Sequence, residues 1–106
     1  MNKKQIEQEE LLLKKLPEHL AAGYLADSFA SMLCFALKDK RKELRMSQQE
    51  VANKSGLCRA GVSRFENFLH SPNLTIVGKY MYALGYTIED VYKIALFIKN
   101  LTEEEQ

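Results

Sequence analysis

The sequence lacks several residue types that would indicate a disulfide-stapled or metal-dependent protein. Its 106 residues include no tryptophan, two cysteines, two prolines and two histidines. Cys34 and Cys58 are too few for the disulfide framework of a small secreted domain, so we expect two reduced thiols in a cytoplasmic protein. His19 and His70 are far apart and have no Cys or Asp at ligand spacing, so the sequence predicts no metal site and no cofactor.

Long apolar runs and catalytic motifs are lacking as well. Residues 29–37, "FASMLCFAL", form the longest apolar stretch, which is about half of the roughly 18 residues needed to span a bilayer. No charged start is followed by an apolar run and a cleavage site. We therefore expect no membrane partner. There is no nucleophile elbow and no glycine-rich phosphate loop, so the sequence predicts a protein that is not an enzyme.

The charges that are present are unevenly distributed. The net charge is only +1, and the hydrophobic fraction of 46% and charged fraction of 27% are ordinary for one globular domain. Residues 36–66 hold eight basic and four acidic residues, a net of +4, whereas residues 87–106 hold five acidic and two basic residues, a net of −3. The middle of the chain is therefore the basic pole, where a nucleic acid would be attracted.

Apolar residues recur at three- and four-residue steps along the chain, which predicts helices throughout. Ser47 and Glu50 fit a capping box at the start of a helix that Gly56 ends. Thr87 caps the last amphipathic helix, and Gly85 ends the one before it. The sequence therefore predicts an all-α fold, with further helices over residues 2–15, 18–45, 59–66 and 74–84.

Two of these helices are short and are joined by a glycine-containing turn, in "SQQEVANKSG" followed by "LCRAGVSRFE". This is the helix-turn-helix arrangement. Val51 and Ala52 lie on the inward side of the first helix, and Val62 and Phe65 on that of the second. Because Ala52 is small, the second helix can cross the first closely, which leaves its remaining residues free to meet a groove.

The same stretch resembles the DNA-binding domain of the phage repressor–Cro (XRE-type) helix-turn-helix family. The resemblance covers residues 37–86 and rests on "LKDKRKELRMSQQEVANKSG", "LCRAGVSRFE" and "SPNLTIVGKYMYALG". It implies a five-helix-type repressor DNA-binding domain over residues 36–90, with its motif at residues 48–67. A helical extension would precede it at residues 1–35, and a C-terminal amphipathic helix with an acidic tail would follow at residues 91–106.

The resemblance also implies roles for individual residues. Arg41 and Glu66 would form a buried structural ion pair, and Gln48 would contact the DNA backbone. The groove-facing side chains would be Arg59, Ala60, Ser63 and Arg64. Arginine forks pair with guanine or bridge phosphates, although two solvated surface charges are the alternative for Arg59 and Arg64.

The sequence departs from the family pattern at two positions. Gly61 stands where a serine or threonine is common, and it either lets DNA approach closely or is a tolerated packing residue. Phe68 stands where many members have the glycine of "E-x-G", so we expect a different exit from the recognition helix.

We expect a repressor that binds double-stranded DNA at an inverted-repeat operator as a homodimer. The first alternative is an antitoxin of the HigA type, which "FENFLHSPNLTIVGKYMYALG" resembles, with a toxin as its partner; it would bind the same DNA and fold residues 1–35 on the toxin. The second is an architectural or inactive helix-turn-helix protein, which Gly61 and the small net charge would suit. An apolar stripe on the last helix would form the dimer interface or complete the core of a lone domain: Val91, Ile94, Ala95, Ile98 and Leu101.

Overall fold

The computed structural model describes residues 1–69 and 71–104, with side chains described up to residue 101. His70 and the last two residues of the acidic tail lie outside the described residues. The regular secondary structure of the described residues is entirely helical, which confirms the all-α prediction. Six helices follow one another: α1 (Lys3–Lys15), α2 (Glu18–Glu43), α3 (Gln48–Ser55), α4 (Arg59–Glu66), α5 (Leu74–Ala83) and α6 (Ile88–Glu104).

The helix boundaries follow local chemistry at most positions. Ser47 Oγ accepts a hydrogen bond from the Glu50 amide at 3.0 Å, and the Glu50 carboxylate accepts one from the Ser47 amide at 3.1 Å. This confirms the predicted capping box. Gly56 ends α3 in the left-handed region with φ 78°, where a side chain would be strained. Thr87 Oγ1 accepts from the Asp90 amide at the start of α6.

The end of α2 differs from the prediction. The helix stops at Glu43, with Leu44 as its cap, rather than continuing to Arg45. Arg45 has a φ of 58°, and its amide donates to the Lys42 carbonyl at 3.0 Å. Periodicity could not reveal this ending, because the chain leaves the helix through a left-handed residue that is not a glycine.

The core lies among α3, α4, α5 and the C-terminal half of α2. Val51 and Val62 are completely buried where α4 packs across α3, and Ala52 provides the small side chain at that crossing. The Phe65 and Tyr80 rings stack with centroids 4.5 Å apart. The buried apolar set is Cys34, Leu37, Val51, Ala52, Val62, Phe65, Val77, Tyr80, Ala83 and Leu84.

Two helices contribute nothing to this core. No residue of α1 is buried, and none of the described side chains of α6 is buried either. α1 packs against α2. The predicted stripe on α6 is solvent-exposed along its length, so it does not complete the core of the single chain.

The expectation that no segment approaches a membrane span was wrong. α2 has 26 residues and an 18-residue window of mean hydropathy 1.5, of which 11% is buried, so by length and composition it could cross a membrane. Small and apolar residues that precede the run at residues 29–37 lengthen the apolar segment beyond that run. One such helix is weak evidence for a membrane protein. Moreover, Cys34 and Leu37 belong to the core of the domain.

Candidate nucleic-acid interface

The outer side of α4 carries the residues predicted to face DNA. Val62, Phe65 and Glu66 are the buried residues of this short helix, and its other five residues are accessible to solvent. Arg59, Ala60 and Arg64 are exposed, and Gly61 and Ser63 are partly exposed. The structure thus brings the four predicted groove-facing residues, together with Gly61, to the accessible side of α4.

The N-terminal end of α4 has an uncompensated positive charge. Its first turn contains no acidic residue, so neither the partial positive charge of the helix N-terminus nor Arg59 is neutralised there. The cap is Cys58, whose Sγ accepts a hydrogen bond from the Gly61 amide at 3.3 Å. Sulfur is a weak acceptor. This end of the helix therefore favours an anion such as a phosphate.

Glu66, the last residue of α4, joins the helix to three others. Its Oε2 accepts hydrogen bonds from Arg41 Nε at 2.6 Å and from the Tyr80 hydroxyl at 2.7 Å. Its Oε1 accepts from Arg41 Nη2 at 2.8 Å and from Gln48 Nε2 at 3.1 Å. These partners belong to α2, α3 and α5. This carboxylate therefore helps to orient α4, together with the packing of Val62 and Phe65.

The ion pair in this network is buried and bidentate. Arg41 and Glu66 are only 9% and 7% exposed. The remaining Arg41 nitrogen, Nη1, donates to the Met46 carbonyl at 2.7 Å. Within the described residues, no buried side-chain polar atom lacks a hydrogen-bond partner. A pair satisfied in this way is costly to break from one side, because the other charge stays buried.

The network also shifts the ionisation of its members. Burial acts to raise the pKa of Glu66, but hydrogen bonds from Arg41, Tyr80 and Gln48 outweigh it, and the pKa is lowered. Burial, followed by the hydrogen bond to Glu66, raises the pKa of Tyr80. The carboxylate therefore stays charged and the phenol stays neutral at neutral pH.

Sequence reasoning missed two members of this network. It assigned no hydrogen-bonding role to Tyr80 and treated Gln48 as a contact to DNA alone. A tyrosine on the inward face of a helix was an available signal, because a buried hydroxyl needs a partner. The Gln48 amide donates to Glu66, so this side chain braces the end of α4 whether or not it meets DNA.

Asn67 is a further residue that sequence reasoning missed. Its Nδ2 donates to the Ser63 carbonyl at 2.9 Å and to Ser63 Oγ at 3.3 Å. Because the Ser63 oxygen already accepts from Asn67, its own hydroxyl hydrogen remains available as a donor. Asn67 thus fixes the orientation of a side chain on the outer face of α4.

At the exit of α4, Phe68 has a φ of 52°, in the left-handed region that favours glycine. The expected difference from the family at this exit stays a prediction. The Phe68 amide donates to the Phe65 carbonyl, and the Leu69 amide donates to the Arg64 carbonyl at 3.1 Å. The ring packs against the core, which offsets the strain of a non-glycine residue in this region.

The fold does not require a glycine at position 61. A Cβ there would have its nearest neighbour, Cys58 Sγ, at 3.4 Å, which is an ordinary contact. Beside it opens a small pocket of about 140 Å³ that Arg64, Pro72 and Ile76 also line. Gly61 therefore leaves free space beside the outer face of α4, and packing inside the chain does not require it.

A comparison with known protein families agrees with this geometry. The model of a helix-turn-helix family, HTH_3, matches residues 37–91, just over half of the chain. The chain belongs to the XRE-type helix-turn-helix family. This confirms the family resemblance, and the XRE-type domain is that of a DNA-binding transcription regulator. No curated protein and no solved structure matches the chain. The likeness to HigA-type antitoxins stays a prediction.

Proposed function

We propose that this XRE-type protein is a cytoplasmic, sequence-specific repressor that binds an inverted-repeat operator as a homodimer. The observation that carries the proposal is the exposed arginine face of α4, whose far end is held by the buried Glu66 network. A helix that reads base edges must be positioned rigidly, and its reading face must be free. Repression follows when the bound dimer occludes a promoter.

The residues of α4 suit the major groove in different ways. Arg59 and Arg64 supply planar forks for guanine or for phosphates. Ala60 can place its methyl against a thymine methyl, and Ser63 can donate its hydroxyl hydrogen. Gly61 lets the helix approach the backbone or a base edge without a side chain in between.

Phosphate contacts supply most of the affinity in this proposal. The positive charge of Arg41 and the negative charge of Glu66 cancel in their ion pair. The net charge of +4 over residues 36–66 is therefore carried by the other side chains. Gln48 lies beside the end of α4 and can reach a phosphate with its second amide hydrogen. Binding should therefore weaken steeply as salt is raised.

The homodimer supplies the second recognition helix. Two α4 helices must lie roughly 34 Å apart to enter successive major grooves on one side of the duplex. The stripe on α6 offers the contact between the two copies. It consists of Val91, Ile94, Ala95, Ile98 and Leu101.

Fluorescence anisotropy with DNA from upstream of the protein's own gene tests the proposal. We expect at least a 1,000-fold preference over a scrambled duplex, the low end for specific binders. The Arg59→Ala, Arg64→Ala double variant should lose this preference. The control is Lys3→Ala with Lys4→Ala, which removes the same charge from α1. Weak and equal binding to both duplexes would contradict sequence-specific regulation.

A second candidate function is that of an antitoxin, and one observation favours it. α1 and α2 enclose an apolar groove of about 400 Å³, lined by residues that include Ile6, Leu13, Tyr24 and Leu25. Such a groove suits an apolar segment of another protein. α1 and α2 nevertheless make most of residues 1–35 helical in the single chain, and α2 continues into the DNA-binding domain, which favours the repressor.

Co-purification with the product of the adjacent gene separates the two functions. An antitoxin would bind that product through the α1–α2 groove, and Leu25→Asp would abolish the complex while leaving the isolated protein folded. The repressor proposal predicts no stable complex with that product.

A further inference from the structure

Two helix faces outside the DNA-binding site expose more apolar surface than a lone domain should. On α2, Leu25, Phe29 and Met32 are 58%, 60% and 45% exposed. On α6, the large side chains of Val91, Ile94, Phe97, Ile98 and Leu101 are between 44% and 63% exposed. Monomeric soluble proteins rarely expose contiguous apolar patches beyond a few hundred Å², and larger ones mark interaction sites.

The two faces open onto one cleft. Leu33, Ala36 and Leu37 of α2 line it on one side, and Ile94 of α6 lines it on the other, with a volume of about 390 Å³. Met81 and Tyr86 also line it. We call this depression the α2–α6 cleft. Phe29 and Met32 line the α1–α2 groove and lie four residues before Leu33 and Ala36 of the cleft, so the apolar stripe of α2 runs along the helix from that groove into the cleft.

The α2 side of this surface carries no charge. Its members recur at three- and four-residue steps and are all apolar: Leu25, Phe29, Met32, Leu33 and Ala36. The cleft itself contains one acidic residue, Asp90, and one basic residue, Lys93. A surface without net charge suits a second copy of the same chain, because twofold symmetry brings like residues close together and like charges would repel.

We propose that a second copy of this chain fills the α2–α6 cleft with its own α6, so that α2 and α6 of both copies form a four-helix interface. This inference rests on the homodimer of the proposed function and assigns α2 a part in it. The contact is reciprocal, since the twofold axis that places one α6 in the partner's cleft also places the partner's α6 in the first.

The area available matches what a stable dimer needs. The eight exposed side chains on α2 and α6 offer on the order of 800 Å² per copy, taking about 100 Å² for each half-exposed large side chain. Stable interfaces bury about 800 Å² per partner. Ala36 and Ala95 are exposed on the two helices, and small residues allow helix backbones to approach closely.

The state of α6 in the single chain gives an independent reason for a partner. Seventeen residues long, it has no buried side chain among those described. Helices in proteins gain most of their stability from packing an apolar face. Docking into a second copy supplies that packing for α6 and covers the exposed face of α2 at the same time.

Sedimentation equilibrium on three single variants tests the inference. Phe29→Glu on α2 and Ile98→Glu on α6 should each raise the dimer dissociation constant on the order of 100-fold, because symmetry places each new charge at the interface twice. Leu74→Glu is the matched control, since Leu74 is 82% exposed and lies on α5. It should leave the dimer intact.

The outcomes separate this inference from the proposed function. If Ile98→Glu dissociates the dimer and Phe29→Glu does not, α6 alone forms the interface, and the inference is wrong while the repressor proposal survives. A wild type that is monomeric at tens of micromolar contradicts both. If that monomer co-sediments with phosphatidylcholine–phosphatidylglycerol vesicles and Phe29→Glu does not, the α2 face binds lipid, and the inference is also wrong.

Cysteine cross-linking provides a second measurement that does not depend on destabilising the interface. Two proteins are mixed, one with Phe29→Cys and the other with Ile98→Cys, both in a Cys58→Ser background because Cys58 is exposed whereas Cys34 is buried. A short bismaleimide should join the two different chains. Cross-links only between copies of the Ile98→Cys protein would place α6 against α6 and contradict the inference.

Discussion

The two halves of α2 differ in how far their side chains are buried. Its C-terminal half packs into the helix-turn-helix core and buries a charged side chain, Arg41, in a fully paired network. Its N-terminal half does the reverse, because it leaves Phe29 and Leu25 exposed to solvent. The first region buries its apolar and charged side chains within one chain, whereas the second exposes apolar side chains that the proposed partner would cover. Stability of the single chain should therefore depend on the first region, and assembly on the second.

Breaking the ion pair should have the largest effect on stability. Arg41→Met leaves the buried Glu66 carboxylate without its main partner, so we expect a loss of about 3–5 kcal/mol in the free energy of unfolding. Urea denaturation followed by circular dichroism measures it. Lys40→Met, one position earlier and exposed, is the control. A loss below about 1 kcal/mol for Arg41→Met would mean that the network does not hold the domain together.

Removing the Tyr80 hydroxyl should have the next largest effect. Tyr80→Phe keeps the stacking on Phe65 but removes a hydrogen bond to a charged group, which contributes about 1.5–3 kcal/mol. Tyr82→Phe serves as the control, because that side chain is 70% exposed. Equal denaturation midpoints for the two variants would show that the phenol does not stabilise the end of α4.

Acid should weaken the first region through Glu66. The pKa of Glu66 is lowered in the folded protein. Its stabilising contribution is therefore fully present above the unfolded pKa near 4.5. The contribution is lost as the pH falls from there through the folded pKa. Glu66→Gln should flatten the dependence of unfolding free energy on pH in this window. The control is Glu43→Gln, an exposed position on α2, which should keep the pH dependence of the wild type. The expectation fails if both variants lose stability in acid as the wild type does.

The smallest expected effect is a gain at the start of α4. Cys58→Ser replaces a weak sulfur acceptor by a preferred cap oxygen, so we expect about 0.5–1 kcal/mol of added stability in the first region. Thermal unfolding of the two proteins at the same concentration measures the difference. A lower melting temperature for the serine variant would indicate that the thiol has a packing role that serine cannot fill.

Local chemistry explains which features were predictable from the sequence. The capping box at Ser47 and the glycine end at Gly56 depend on neighbours within a few residues, and both were predicted. The hydrogen bonds of Gln48 and Tyr80 to Glu66 were not, because these residues are 18 and 14 positions away from their partner. Such contacts exist only after the helices have packed.

The other features that could not be predicted from the sequence also depend on how the helices pack. A phenylalanine at position 68 carries no local signal for a left-handed backbone, since that conformation is imposed by the packing of its ring and the exit of α4. The stripe on α6 was visible in the sequence, but its exposure in the single chain was not, because periodicity shows that a face is apolar without showing whether anything covers it. The exposed face of α2 was overlooked for that reason.

Selection of binding sites from a random DNA library tests the central claim most directly. If two α4 helices of a homodimer read the duplex, the enriched sequences will be inverted repeats whose half-site centres lie one helical turn, about 10 base pairs, or a multiple of it apart. The Arg59→Ala, Arg64→Ala protein should enrich no such repeat. Enrichment of no sequence, or of a single half-site, by the wild-type protein would contradict a dimeric, sequence-specific repressor.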